Sequence, residues 1–351
     1  MLKRGIRKQP QSPTTDNPFW PDTKRMIETG AVTPIIGNFV SFNIFGGDPG
    51  LVAESWAADV ESPFSARENR ELARVAQYYS VENSNLAAKR HYLDALKNYL
   101  FGLAQDDRDV DSDFLEEQIE DYQEHSFSHI AYQLGYPKYP DEEQNILRLL
   151  AELPLPIYIT TGYHDFLEVA LTRVPKEPVS EIFYWHDSLL RIPSIFDEEP
   201  GYVPSVERPL VYHLYGLDEY PESLVLSEDD YLDFLIKLSQ MTAEVQYSEH
   251  RRKQPSSVRL ALAGTSLLLL GYGVYDWEFR ALFKGLIQDS NVSRNSQNKP
   301  ESISVQVSPE DGESQEQIKT YLQKYFDKSS FRVYWGKPHE CVQALWRLWQ
   351  E

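Results

Sequence analysis

The residues of this chain that could do chemistry gather at the ends of short apolar runs. "YITTGYHDFLEVAL" (158–171) reads as a buried strand running straight into a helix, and the junction carries Gly162, Tyr163, His164 and Asp165. Histidine titrates close to neutrality, so His164 is a candidate general base. The competing reading is a polar corner residue that bonds a backbone carbonyl. Asp165 either orients that imidazole or caps the helix that follows. A second histidine, His213, lies in "LVYHLYG" (210–216), two residues before Tyr215. Residues two apart on a strand face the same side, so His213 and Tyr215 both look into a crevice or both into the core. Tyr215 suits a pocket wall better than an acid, because an unperturbed phenol titrates at about 10.

Two further runs end on glycine. "TPIIGNFVSF" (33–42) presents Gly37, Asn38 and Ser41, and "LLLLGYG" (267–273) presents Gly271, Tyr272 and Gly273, with Asp276 just beyond. Glycine at a strand end lets the backbone approach a ligand closely, and free amides at the next helix start favour a phosphate. Gly37 without a second and third glycine is no dinucleotide fingerprint. The residues alone specify a nucleotide-sized ligand in an α/β fold.

These runs need a sheet that brings their ends together. Strand patterns at 33–37, 155–161, 179–186, 210–216, 267–273, 302–308 and 331–336 alternate with helical patterns at 48–60, 165–174, 227–240, 277–287, 314–328 and 338–350. Such alternation predicts a doubly wound, mostly parallel Rossmann-like sheet. In such sheets the C-terminal strand ends open onto one crevice. Residues 65–150 repeat apolar positions at three and four and read as an inserted helical module. Within it, "DDRDVDSDFLEEQIEDYQEH" holds ten acids against one Arg and reads as a solvated face or loop. Residues 1–22 read as a disordered basic tail, 23–351 as a single domain, and 288–301 as a polar linker.

Bulk composition narrows the function. The 351 residues carry a formal net charge of −20, which opposes a nucleic-acid surface, since phosphate contacts need clustered Lys and Arg. The single cysteine, Cys341, excludes both an intramolecular disulfide and a structural zinc site built on several thiolates. It reads as a small packed hydrophobe. No apolar stretch follows the basic start, as a secretory signal would require. The run 260–275 is too short to span a bilayer, which needs about 20 apolar residues. A cytoplasmic protein without metal is expected.

The order of the segments "TPIIGNFVS", "YITTGYHDFLE", "LVYHLYGLDEYPESLVLSEDDYLDFL" and "LLLLGYGVYDWEFRALF" resembles the sirtuin-like NAD-consuming family. The resemblance is to its prokaryotic defence and signalling branch rather than to the deacetylases. It implies a sirtuin-like fold in which NAD lies across the crevice and the bond between nicotinamide and ribose is broken, through an oxocarbenium-like ribose. It puts His164 and Tyr215 at aligned catalytic positions, with Asp165 and His213 close by as stand-ins for the catalytic groups. Gly37, Asn38, Ser41, Thr161, Gly162, Gly271, Tyr272, Gly273 and Asp276 fall at cofactor-binding positions. The chain departs from the family where chemistry is concentrated. The family's Asn aligns with Gly162, its Asp with His164, and its His before the glycine with Tyr215. Phe39 stands where a small residue would let the pyrophosphate come close.

Two functions are therefore carried forward. One is an NAD glycohydrolase releasing nicotinamide and ADP-ribose in anti-phage defence, as a homo-oligomer or with a separate sensor or activator protein. The other keeps the fold and has lost turnover, sensing a nucleotide such as NAD or ADP-ribose or holding a partner. A deacylase of the kind that carries four zinc-binding cysteines is excluded by the cysteine count.

Overall fold

The structure is a computed structural model and describes residues 22–37, 40, 49–139, 144–243, 255–272, 302–306, 315–327 and 331–351. The predicted tail, apart from its last residue, and the predicted linker lie outside these residues.

Among the described residues seven strands form one sheet: β1 (Val32–Ile36), β2 (Ile157–Thr160), β3 (Val179–Ile182), β4 (Leu210–His213), β5 (Ser266–Leu270), β6 (Ser302–Gln306) and β7 (Phe331–Trp335). Their order is β3-β4-β2-β1-β5-β6-β7, and every pairing is parallel. The first half of the chain builds outward from β1 on one side, and the second half begins with β5 on the other. β1 and β5 thus flank the point where the winding reverses, which is where an open α/β sheet forms its ligand crevice.

The helices in chain order are α1 (Thr23–Glu28), α2 (Pro49–Asp59), α3 (Leu72–Glu82), α4 (Asn85–Gln105), α5 (Ser112–Glu120), α6 (Phe127–Gln133) and α7 (Ile146–Glu152). They continue with α8 (Phe166–Thr172), α9 (Ile195–Glu198), α10 (Glu228–Ala243), α11 (Ser256–Gly264), α12 (Gln315–Asp327) and α13 (Pro338–Gln350). The acidic stretch of the module supplies α5, capped by Asp111, whose carboxylate accepts from the Phe114 amide at 3.0 Å. The segment after β3 carries a short 3-10 turn over Asp187–Arg191 and then α9.

The sheet is apolar on both faces, as a fully covered parallel sheet must be. Leu268 and Leu270 of β5 join one buried cluster, while Leu267 and Leu269 join the other, following the two-residue alternation of a strand. The first cluster holds Trp56 of α2, Tyr92 and Leu96 of α4, Phe166 of α8 and Cys341 of α13. The second holds Phe234 of α10, Val258 of α11 and Leu322 of α12. Helices from between β1 and β2 thus share one core with the sheet.

Polar contacts also tie those helices to the strand-end loops. Lys89 of α4 pairs with Asp230 of α10 at 3.1 Å, both almost fully buried, and Asn85 donates to the same carboxylate at 2.9 Å. Asp230 in turn accepts the Leu226 and Ser227 amides, and its own amide donates to Ser227 Oγ at 3.1 Å. This is a reciprocal cap with Ser227 at the helix start.

Candidate functional site at the strand ends

The C-terminal ends of β1, β2 and β5 bring Gly37, Thr161, Gly271 and Tyr272 together. Thr161 donates its amide to Ile36 O at 2.9 Å, Gly37 donates to Leu270 O at 2.8 Å, and the Tyr272 hydroxyl is 3.4 Å from Thr161 Oγ1. The glycines here serve the chain itself. A Cβ on Gly37 would come within 2.5 Å of Gly271 O, and one on Gly271, at φ +74°, within 2.7 Å of Val40 Cγ2. They let two strand ends and Val40 pack together. Asn38, Ser41, Gly273 and Asp276 lie outside the described residues.

The corner after β2 forms a second group. His213, at the end of β4, is fully buried, and both ring nitrogens are engaged. Nδ1 donates to the Gly162 carbonyl at 3.0 Å, and Nε2 meets Glu168 Oε1 of α8 at 2.6 Å. Ser180 of β3 donates to the same carboxylate oxygen at 2.7 Å. Burial works against the charge on His213, yet the carboxylate beside it outweighs burial and raises its pKa. Burial likewise works against Glu168, and the charge and hydrogen bonds of His213 with that of Ser180 hold its pKa below the usual carboxylate value. The pair is therefore an imidazolium locked against a carboxylate, with no lone pair left to accept a proton.

His164 is the opposite case. Its ring stacks on Phe166 with centroids 4.1 Å apart, it is only 9% exposed, and neither ring nitrogen has a hydrogen-bond partner. Burial, then the neighbouring charge of His213, pushes its pKa down to about 3. At neutral pH it is an uncharged imidazole, an acceptor or donor for a hydroxyl but a weak base. The reading of a corner histidine bonded to a carbonyl does not describe it. The glycine aligned with the family's Asn is explained by this ring, since a Cβ on Gly162 would be 3.0 Å from His164 Cε1 and Nε2.

Asp165 stands at the N-cap of α8 without making a side-chain cap. Its Oδ1 is buried with no hydrogen-bond partner, and its backbone amide donates to Ser128 Oγ of α6 at 3.1 Å. Neither nitrogen of His164 is bonded to it. Burial first, then the charges of Glu168 and Asp218, pushes the Asp165 carboxyl up to about 7. Asp218 is held by the Ser128 amide at 2.6 Å, and burial raises it to about 6. Tyr163 turns the other way, hydroxyl to hydroxyl with Tyr92 of α4.

His213 and Tyr215 face opposite sides of the sheet, which corrects the alternation argument. β4 ends at His213, and Tyr215 packs edge-on against Tyr231 and Phe234 of α10 at 5.4 and 5.1 Å. The turn at Gly216, φ +87°, ends the two-residue rhythm. Tyr215 is thus a core residue.

Glu168, Asp218 and Ser128 were not singled out from the sequence. Glu168 was within reach, because residues three apart on a helix share a face and it lies three after Asp165. Ser128 carries no local signal, being a module residue joined to the corner only by the fold.

Residues 156–328 match the sequence model of the SIR2-like domain, a span running from the start of β2 through α12. No curated protein matches the chain. SIR2-like domains bind NAD, and among the described residues no group of acidic, histidine or cysteine side chains could hold a metal ion. Over residues 156–328 this chain is similar to the SIR2-like domain, and its parallel seven-stranded sheet is a sirtuin-like, Rossmann-like fold.

Proposed function

We propose that this chain binds NAD, or its ADP-ribose moiety, across the crevice at the ends of β1, β2 and β5, and that in isolation it does so without turnover. The observation that carries this reading is the state of the two histidines. His213 has both nitrogens committed, and His164 is held neutral with its pKa at about 3. A general base needs a free lone pair and a pKa near the operating pH; His213 has no free nitrogen, and His164 is held far below neutrality. Two unpartnered nitrogens in a buried ring are costly unless something bonds them, and a ribose hydroxyl would satisfy them. Thr161 and Tyr272 at the strand ends would add hydroxyls to the same ligand, and the sheet supplies the remaining backbone groups.

Turnover is favoured by one observation, the Asp165 carboxyl raised to about 7 beside the corner, the value a base or acid needs at neutral pH. That reading makes the chain an NAD glycohydrolase of prokaryotic defence or signalling, woken by a homo-oligomer or by a separate activator that reshapes the corner. Calorimetric titration with NAD tests the first reading. Saturable binding is expected, weakened about tenfold by His164→Leu, which keeps the volume and removes the hydroxyl's partner. Equal affinity in the variant would remove His164 from the ligand site.

A further inference from the structure

A second cleft, of about 830 Å³, adjoins the corner between α6, α8, the edge strand β3 and residues 217–220, with Asp165, Glu168 and Asp218 in its lining. It includes none of Gly37, Thr161, Gly271 or Tyr272. Its size is that of a small-molecule site. We propose that it binds a small organic cation carrying alkylammonium groups.

The lining fits that ligand in three respects. Apart from His125 and His129, every ionisable group facing it other than a tyrosine is a carboxyl; Asp165, Glu168 and Asp218 lie at the inner end, and Glu198 and Glu219 stand exposed at the rim. No Lys or Arg lines it, and burial, then His125, lowers the pKa of His129, so that imidazole adds no competing charge at neutral pH. The Ile182, Ile192 and Ile195 side chains give an apolar wall for a methylene chain between ammonium groups.

The buried carboxylates also have bonds to spare. Glu168 is 8% exposed; its Oε1 takes His213 and Ser180, while its Oε2 has no hydrogen-bond partner. Asp165 Oδ1 is likewise unpartnered. Asp165 and Asp218 share the charge of His213 with Glu168, and burial still raises both well above an ordinary aspartate. Unbonded carboxylate oxygens in a desolvated wall are expensive unless a donor reaches them. A single metal ion does not fit, because no three potential ligands among the described residues converge on one point. A chain with separated ammonium groups reaches carboxylates that a point charge cannot bridge. The overall charge of −20 steers cations towards the protein.

Calorimetric titration of the full chain with spermidine, at physiological ionic strength, tests the proposal. One saturable site is expected, weakened about tenfold by Asp165→Asn and unchanged by Asp59→Asn, an exposed acid of α2 outside the cleft. Should Asp165→Asn fail to fold, Glu198→Gln and Glu219→Gln at the rim carry the test, each weakening binding about threefold. Heats that never saturate, equal affinity in the cleft variants and Asp59→Asn, or displacement by magnesium at matched ionic charge would mean diffuse screening and overturn the proposal.

Discussion

His164 shows how one substitution rearranges its neighbours. An imidazole at this corner fills the space that a side chain at 162 would need, so Gly162 and His164 are one feature and not two. Gly162→Ala therefore overpacks the corner and costs about 1–3 kcal/mol, measurable by urea denaturation. Asp165 allows a test by pH. Its folded-state pKa of about 7 lies above the ordinary aspartate value of 3.8, so the folded chain holds that proton more tightly than the unfolded one. Its contribution is complete below the unfolded value and is lost as pH rises through the folded one. Between about pH 4 and 7 stability falls for this reason, and Asp165→Asn flattens that part of the melting-temperature profile. His164 acts in the opposite sense, because its pKa is lowered, and weakens the fold as pH drops from 6.5 to about 3. The residue types at this corner were legible in the sequence, but their protonation was not. Burial sets it, and Ser128 and Asp218, which surround Asp165, come from distant stretches of chain.

At the level of elements, the strands were readable because parallel strands buried on both faces are near-continuous apolar runs, as in "SLLLL" of β5. Their ends were not. His213 and Tyr215 part company because β4 stops one residue after Tyr212, at a turn that Gly216 permits. Asp165 fits the capping rule by type and position, yet its carboxylate makes no cap. The link between α4 and α10 runs through Lys89 and Asp230, which were invisible as a pair at a separation of 141 residues. Burial lowers the pKa of Lys89, and the Asp230 charge opposes that. Lys89→Met leaves Asp230 buried without its cation and is expected to cost about 3–5 kcal/mol. A urea midpoint within error of wild type would show that the pair is dispensable. Ser227→Ala removes the cap of α10 and costs about 1 kcal/mol by the same measurement.

For the whole molecule, the doubly wound sheet followed from strands and helices in alternation, and the observed order puts the winding reversal between β1 and β5. Gly37, Thr161 and Gly271, legible in the sequence as glycines or a hydroxyl at strand ends, converge there with Tyr272. The function reading depends on the one thing sequence spacing cannot supply, which is the charge state of two histidines set by long-range burial. Among the described residues no helix is long and apolar enough to cross a membrane. The most direct test is to incubate the purified chain with saturating NAD and follow nicotinamide and ADP-ribose by chromatography with mass detection, alongside the melting temperature. The account predicts a rise in melting temperature with no nicotinamide released above the buffer control. Steady release of nicotinamide, lost in Asp165→Asn, would contradict it and make the corner a hydrolase.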